Sequence, residues 1–392
     1  MRRLLLSLAV AVAVLVVVFE VGVGLCAKRG LLPIKVPSYS MTQVRRRDFW
    51  RDVISHFGVW HLPHAATRHV TSCYDVTYRA NSYGARDSER SPASARPRVV
   101  VLGDSFVEGV GVGEAQRFTN LLERDTGIEH LNFGSAGHFG TTQYYLLYET
   151  LARGFAHAAV VVSMLPSNDF WDNDLEYGRL VHPKRYRPYL VGEYPNYRLV
   201  YHKSSLEDGA YRALEKWSRF GGRLLAEFSY THNAFVHVKQ LALARFAGGV
   251  AGARPAPDER VVEHRPSLKL PDRAYSGFHD YRRDQLDLAQ YTFEQIGRLA
   301  GGKEVVIALL PTAADFRRYD PGNPTSPLSA DLGRFAAANG MRLVDLLPDM
   351  YRNARDWNHY LLSCDGHWSV LGHQAAARVL RAKLEALYRD LK

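Results

Sequence analysis

The fold of this chain is decided by the stretch Arg98-Val-Val-Val-Leu-Gly-Asp-Ser-Phe-Val-Glu-Gly-Val-Gly-Val112. Val99 to Leu102 form a short, mostly β-branched apolar run, which reads as a parallel strand buried on both faces. Gly103 lets the backbone turn sharply as it leaves that strand. Asp104 and Ser105 then fall at the strand's carboxyl end and open a helical turn. Open α/β sheets bind ligands along that edge. A serine there has backbone N–H groups and a positive dipole end beside its hydroxyl. Serine is also a common helix N-cap. The segment by itself leaves both readings of Ser105 open, a capping residue or a nucleophile.

Outward from this strand the chain alternates strand and helix. Strands are expected near 98–102, 129–133, 158–163, 304–310 and 341–346. Helices are expected near 115–125, 141–153, 281–299, 328–338 and 369–390. Lys303 to Leu310 and Met341 to Leu347 are short β-rich runs bounded by Gly or Pro. Gly302 and Gly340 stand where the preceding helices should stop. Strands separated by helices pair in parallel through right-handed crossovers. The expectation is an α/β domain over 98–392, a three-layer flavodoxin-like parallel sheet of five strands ordered 2-1-3-4-5.

Three further segments end strands or precede the last helix: Leu131-Asn-Phe-Gly-Ser-Ala-Gly-His138, Val160-Val-Val-Ser-Met-Leu-Pro-Ser-Asn-Asp169 and Ser363-Cys-Asp-Gly-His-Trp-Ser-Val-Leu-Gly-His373. A serine, a glycine, an asparagine and an Asp/His pair therefore follow one another at strand ends. In this the chain resembles the SGNH (GDSL-type) hydrolase family, over roughly residues 97–170 and 303–390. The matching blocks are Gly103-Asp104-Ser105-Phe106, Gly134 to Gly137, Asn168-Asp169 and Asp365-Gly366-His367. Four blocks in order are a specific signal, although each alone is weak.

The resemblance implies a serine hydrolase or acyltransferase scaffold with Ser105, Asp365 and His367 as the catalytic residues. A serine hydroxyl is a poor nucleophile until a base takes its proton. His367 is the expected base, with Asp365 fixing its tautomer. The one-residue spacing between them departs from the commoner Asp-x-x-His, and is found among cell-envelope acetyltransferase relatives. Negative charge that builds on an ester oxygen needs donors already aimed at it. The backbone N–H groups of Ser105 and Gly137 and the Asn168 amide are the expected oxyanion hole. Gly137 is expected to leave room for close approach of substrate. Asn168 also fits a turn residue. His373 is expected to be structural.

The chain has 392 residues and a net charge of +10, with Arg and Lys scattered rather than patterned. No aromatic-basic motif accompanies that charge, which argues against nucleic acid as a partner. Anionic headgroups or acidic polysaccharide suit a basic surface equally well. Residues 1–29 read as a signal anchor, with a cleaved signal peptide as the alternative; Arg2-Arg3 precede an apolar run over 4–27 in which Glu20 is the one charge. The charges flanking it do not decide its orientation. The anchored members of the family imply a catalytic domain on the periplasmic or extracellular side. Residues 30–97 read as a membrane-proximal lead-in, in which Arg86 and Asp87 are expected to form an ion pair.

An insertion at about 170–280 follows Asn168, so it is expected to lie over the site as a lid or a substrate-recognition element. Within it, 177–201 shows no clean periodicity, 206–246 looks helical with a break at Gly221-Gly222, and 247–270 reads as a loop. Cys73 and Cys364 are candidates for a disulfide if the compartment is oxidising, and two separate thiols are the alternative. Cys364, Asp365, His367 and His373 match no usual zinc spacing, so no metal is expected. Gly109, Gly111 and Gly113 lack the dinucleotide fingerprint, so no cofactor is expected, and they read as a flexible connection. Asp169, Asp172 and Asp174 read as solvated turn carboxylates, with contact to sugar hydroxyls as the alternative. The resulting expectation is a membrane-anchored serine esterase. It would cleave an O-acyl ester of a small molecule or envelope carbohydrate through an acyl-enzyme on Ser105. The alternatives are an O-acyltransferase of the same fold and a non-catalytic polysaccharide-binding envelope protein.

Overall fold

A computed structural model describes residues 2–29, 31–32, 34–39, 41, 49–52, 56–71, 73–181, 185–202, 220–247 and 274–392. Two compact units are present. One comprises Met1–Arg47, His69–Asp75 and Gly209–Lys269, the other Asp48–Arg68, Val76–Asp208 and Leu270–Lys392.

The second unit is built on the expected sheet. Its strands are β1 (Arg98–Gly103), β2 (Glu129–Gly134), β3 (Ala159–Met164), β4 (Glu304–Leu309) and β5 (Arg342–Asp345), and their spatial order is β5-β4-β3-β1-β2. All neighbours run parallel, with Gly103 opposite both Gly134 and Ser163. These are Val-rich runs because both faces of the sheet are covered. Val99 to Leu102, Val160 to Val162 and Val305 to Leu310 are almost wholly buried, and each such side chain contributes about 1.5–3 kcal/mol.

The helices that matter below are α1 (Ser105–Glu108), α2 (Phe118–Thr126), α3 (Thr141–Thr150), α4 (Pro166–Asp172), α5 (Arg283–Ala300), α6 (Pro327–Ala338) and α7 (Val370–Lys383). The step from β1 to β2 and the step from β2 to β3 run in opposite directions along the sheet. Right-handed crossovers therefore send α2 and α3 to opposite faces. There α2 packs with α7, and α3 with α5. Helix α5 shows why: Leu286, Ala289, Phe293, Ile296 and Ala300 are buried along one stripe at three- and four-residue spacing. The expected last helix over 369–390 breaks at Leu384 into α7 and a short helix Glu385–Asp390.

Residues 177–201 depart from the expectation of no regular structure. Leu175–Val181 is helical, and Arg187–Glu193 pairs antiparallel with Asn196–His202 across a two-residue turn. Tyrosines hold this hairpin rather than an alternating pattern. Tyr197 packs on Tyr291 of α5, Tyr186 stacks on Tyr201, and Tyr194 Oη donates to Glu294 at 2.7 Å. The hairpin therefore leans on α3 and α5, where Gln143 donates to the Pro188 carbonyl at 2.8 Å. Residues 203–219 and 248–273, including the expected loop, lie outside the described residues.

In the first unit, one helix runs from Arg2 to Lys28. Val14 to Phe19 are exposed. Among the described residues no helix is long and apolar enough to cross a membrane, and several side chains of the apolar run lie outside that set. Glu20 caps a second helix, Tyr230–Ala247. Its carboxylate accepts from Ser229 Oγ at 3.0 Å, from the Thr231 amide at 2.9 Å and from the Tyr230 amide. The helical break in this region thus falls at Ser229, and Gly221-Gly222 lie inside a helix. Cys26 is a free thiol.

Candidate active site

The register that sets Gly103, Gly134 and Ser163 side by side brings the next residues of three strands to one edge. After β1, Asp104 caps α1 by accepting from the Phe106 amide at 2.9 Å. Ser105 is therefore the first helical residue and not the cap, which frees its hydroxyl. Two glycines allow so tight a turn. A Cβ on Gly103 would sit 2.1 Å from Val107 Cγ2, and one on Gly134 would sit 2.2 Å from the Glu108 amide nitrogen.

His367 arrives from the other end of the chain. Trp368 is fully buried and donates to the Pro311 carbonyl at 3.1 Å, while Ser369 caps α7. The loop before it closes through the Leu362 amide on the His367 carbonyl at 2.7 Å. His367 Nε2 consequently lies 2.9 Å from Ser105 Oγ, with the Phe106 ring 5.2 Å from the imidazole. Asp365 Oδ1 accepts from the His367 amide at 3.1 Å and lies 3.3 Å from Nδ1. The Nδ1 contact is close enough for charge attraction but off line for a hydrogen bond. The short Asp-Gly-His spacing works because Gly366 takes the left-handed conformation, with φ 81°. That folds the carboxylate back over the histidine two residues on.

Asn168 stands in the first turn of α4, beyond β3. Its Nδ2 donates to Asp104 Oδ2 at 3.1 Å, and its second N–H bond is not used by that contact. Asp104 is thus a two-oxygen bracket between the Ser105 turn and the Asn168 amide. Burial pushes its carboxyl up to about 6, against the opposing pull of the Phe106 amide, Asn168 and His367.

Gly137 is tied to the Ser105 turn less directly, through its neighbour. The Ala136 amide donates to Glu108 Oε2 at the end of α1. Packing gives the glycine a reason of its own, since a Cβ there would lie 2.5 Å from Val59 Cγ1. On the other side Arg185 donates to the Gly137 carbonyl at 3.4 Å, so the start of the hairpin does reach this edge.

Other expectations need correction. Asp169 and Asp172 are buried, not solvated. Asp169 accepts from Tyr144 Oη at 2.8 Å and from the Leu165 amide at 3.0 Å, which ties the start of α4 to α3. Burial holds its carboxyl well above the usual range, with Asp104 adding to the rise. Asp172 faces Arg187, and the more exposed Asp174 accepts from Arg282 at 2.9 Å. The glycine run after α1 is not loose. Gly109 and Gly111 hold left-handed φ values of 81° and 84°. Arg86 donates to the carbonyls of Glu108, Gly109 and Val112 at 2.6–2.8 Å. Arg86 is thus spent on backbone, and Asp87 faces Arg90 and Arg117 instead. His373 is buried, with Nδ1 accepting from the Phe118 amide at 3.3 Å, and burial lowers its pKa to about 3. It is a neutral strut under α2.

Sequence reasoning gave no role to Asp104 or Glu108, which flank Ser105 in the opening stretch. Polar residues inside a buried strand–helix turn were the available signal. Their partners, at positions 168, 136, 50 and 61, are too distant in sequence to be read.

No protein-family model matches the sequence, and neither does any curated protein sequence. Among solved structures the chain is similar to a member of the lipolytic protein G-D-S-L family from Veillonella parvula, at 11% identity and a TM-score of 0.35, covering 73% of this chain and 96% of that one. It is similar to a lipase/acylhydrolase from Enterococcus faecalis, at 12% identity and a TM-score of 0.35, covering 74% and 96%. It is also similar to a carbohydrate esterase family 2 enzyme from Corynascus thermopiles, at 13% identity and a TM-score of 0.37, covering 76% and 68%. These are distant likenesses, and the chemistry of the site rests on its own residues.

Proposed function

We propose that this protein is a serine esterase that cleaves an O-acyl ester through an acyl-enzyme on Ser105. The observation that carries the reading is the 2.9 Å contact between Ser105 Oγ and His367 Nε2. That separation is hydrogen-bond reach for a general base on the proton it must remove. His367 takes the Ser105 proton as the hydroxyl attacks the ester carbon, then returns it to the departing alcohol. Asp365 holds the Nδ1 side and offsets the imidazolium charge. The developing oxyanion is met by the Ser105 and Gly137 N–H groups and the free N–H of Asn168. Water activated by His367 then releases the acid.

Further parts of the reading are an anchor and a place. The helix over Arg2–Lys28 and its exposed valines support attachment to a membrane through residues 4–27, and the catalytic unit is read as periplasmic or extracellular. The substrate class that fits such a place is an acylated envelope carbohydrate or small molecule. The test is labelling by a fluorophosphonate probe together with hydrolysis of a chromogenic acetyl ester. Both are expected in the full chain and lost in Ser105→Ala. An unlabelled Ser105 would sink the enzyme reading in favour of a binding protein. Acyl transfer to an oligosaccharide that outpaces hydrolysis would replace esterase by transferase.

A further inference from the structure

The lead-in before the sheet does more than connect it. Trp50–Asp52 pairs antiparallel with Val59–His61, and both strands send a side chain to Glu108, the last residue of α1. Trp50 Nε1 donates to both oxygens of the Glu108 carboxylate, at 3.0 and 2.8 Å. His61 Nε2 lies 3.5 Å from Oε2, and its Nδ1 lies 2.7 Å from the Gly84 carbonyl. A carbonyl only accepts, so Nδ1 carries a proton. The His61 and Glu108 side chains are both 0% exposed. The same Oε2 accepts from the Ala136 amide, one residue before Gly137. Val59, on the second lead-in strand, fills the space beside Gly137.

A buried carboxylate costs several kcal/mol unless it is paired and hydrogen-bonded, so a full set of partners around this one marks a built feature. Burial pushes the Glu108 carboxyl up, but His61, Arg86 and Trp50 together hold it below its ordinary value.

We infer that Glu108 is a positioning residue. Clamped by Trp50 and His61 of the lead-in, it holds the Ala136–Gly137 peptide where the Gly137 N–H can meet the oxyanion. The inference rests on the esterase reading for its effect on rate, but not for the brace itself. The lead-in thereby becomes a working part of the site, and removing it would disable catalysis even with Ser105, Asp365 and His367 intact.

The experiment uses the full chain and the variants Glu108→Ala and Glu108→Gln. Two readouts are taken: hydrogen exchange of the peptide spanning residues 134–138, and kcat and KM on the chromogenic acetyl ester. In Glu108→Ala, exchange should accelerate. The kcat should drop about 10- to 100-fold, less than for outright loss of an oxyanion donor, with KM within about twofold. Glu108→Gln keeps one acceptor oxygen and should recover part of both. If Glu108→Ala does not fold, Glu108→Gln supplies the same pair of readouts, with a loss of about tenfold. Unchanged exchange overturns the inference, whatever kcat does, and so does faster exchange with unchanged kcat. Faster exchange in a chain whose wild type neither hydrolyses ester nor takes the fluorophosphonate leaves the brace standing and removes the esterase reading.

Discussion

Asn168→Ala is the sharpest perturbation because one amide serves two neighbours. Its Nδ2 donates to Asp104 Oδ2 at 3.1 Å and has one N–H left for substrate. Loss of an oxyanion donor costs about 100- to 1,000-fold in kcat, or ~3–4 kcal/mol of transition-state stabilisation. The same change strips a buried carboxylate oxygen of its side-chain donor, which should lower stability by ~1–3 kcal/mol. Asn168 is also one of the groups that restrain the rise of the Asp104 pKa, so its removal should move that group upward from about 6. Three outcomes are therefore linked: lower kcat at nearly constant KM, a lower Tm, and an acid limb of the rate profile displaced toward higher pH. The assay is steady-state hydrolysis of a chromogenic acetyl ester from about pH 5 to pH 8, with thermal melts over the same range. A variant whose kcat stays within about threefold of the parent would falsify the assignment of Asn168 as a donor.

Other expectations follow from the same geometry. Asp365→Asn should cost roughly 10- to 100-fold less in kcat than His367→Ala, because the Asp365–Nδ1 contact is off line and partly solvated; equal losses would mean that Asp365 does more than orient the ring. Trp368→Ala should destabilise the chain by ~3–5 kcal/mol in denaturant titration and slow fluorophosphonate labelling of Ser105, since Trp368 seats the His367 loop. Burial raises Asp345 to about 6, even with Ser329 and Leu347 donating to it. A buried acid whose folded pKa lies above its unfolded one binds more protons in the folded state. Its contribution to stability is thus full below about pH 4 and falls as the pH rises to about 6. Asp345→Asn should flatten part of that fall in the Tm-against-pH curve, and an unchanged slope would count against it.

Those elements of the fold that are set locally were legible in the sequence. The Val-rich strands announce burial on both faces, and Gly302 and Gly340 follow the helix ends with positive φ, one residue past the caps Gly301 and Asn339. The polar residues at strand ends were legible too, because the order of the blocks places them on one edge. What was not legible depends on partners far along the chain. Asp172 looks like a turn carboxylate until Arg187 is set against it, and the hairpin from Arg187 to His202 has no alternation because stacked tyrosines hold it. Arg86 beside Asp87 invites an ion pair, yet three carbonyls across the turn compete better for a planar fork of donors.

The nucleophile and its base are separated by 262 positions in the chain. At about 5–20 residues per second, a ribosome needs roughly 10–50 s to travel from one to the other. On the esterase reading, a nascent polypeptide carries Ser105 throughout that interval without the imidazole that takes its proton.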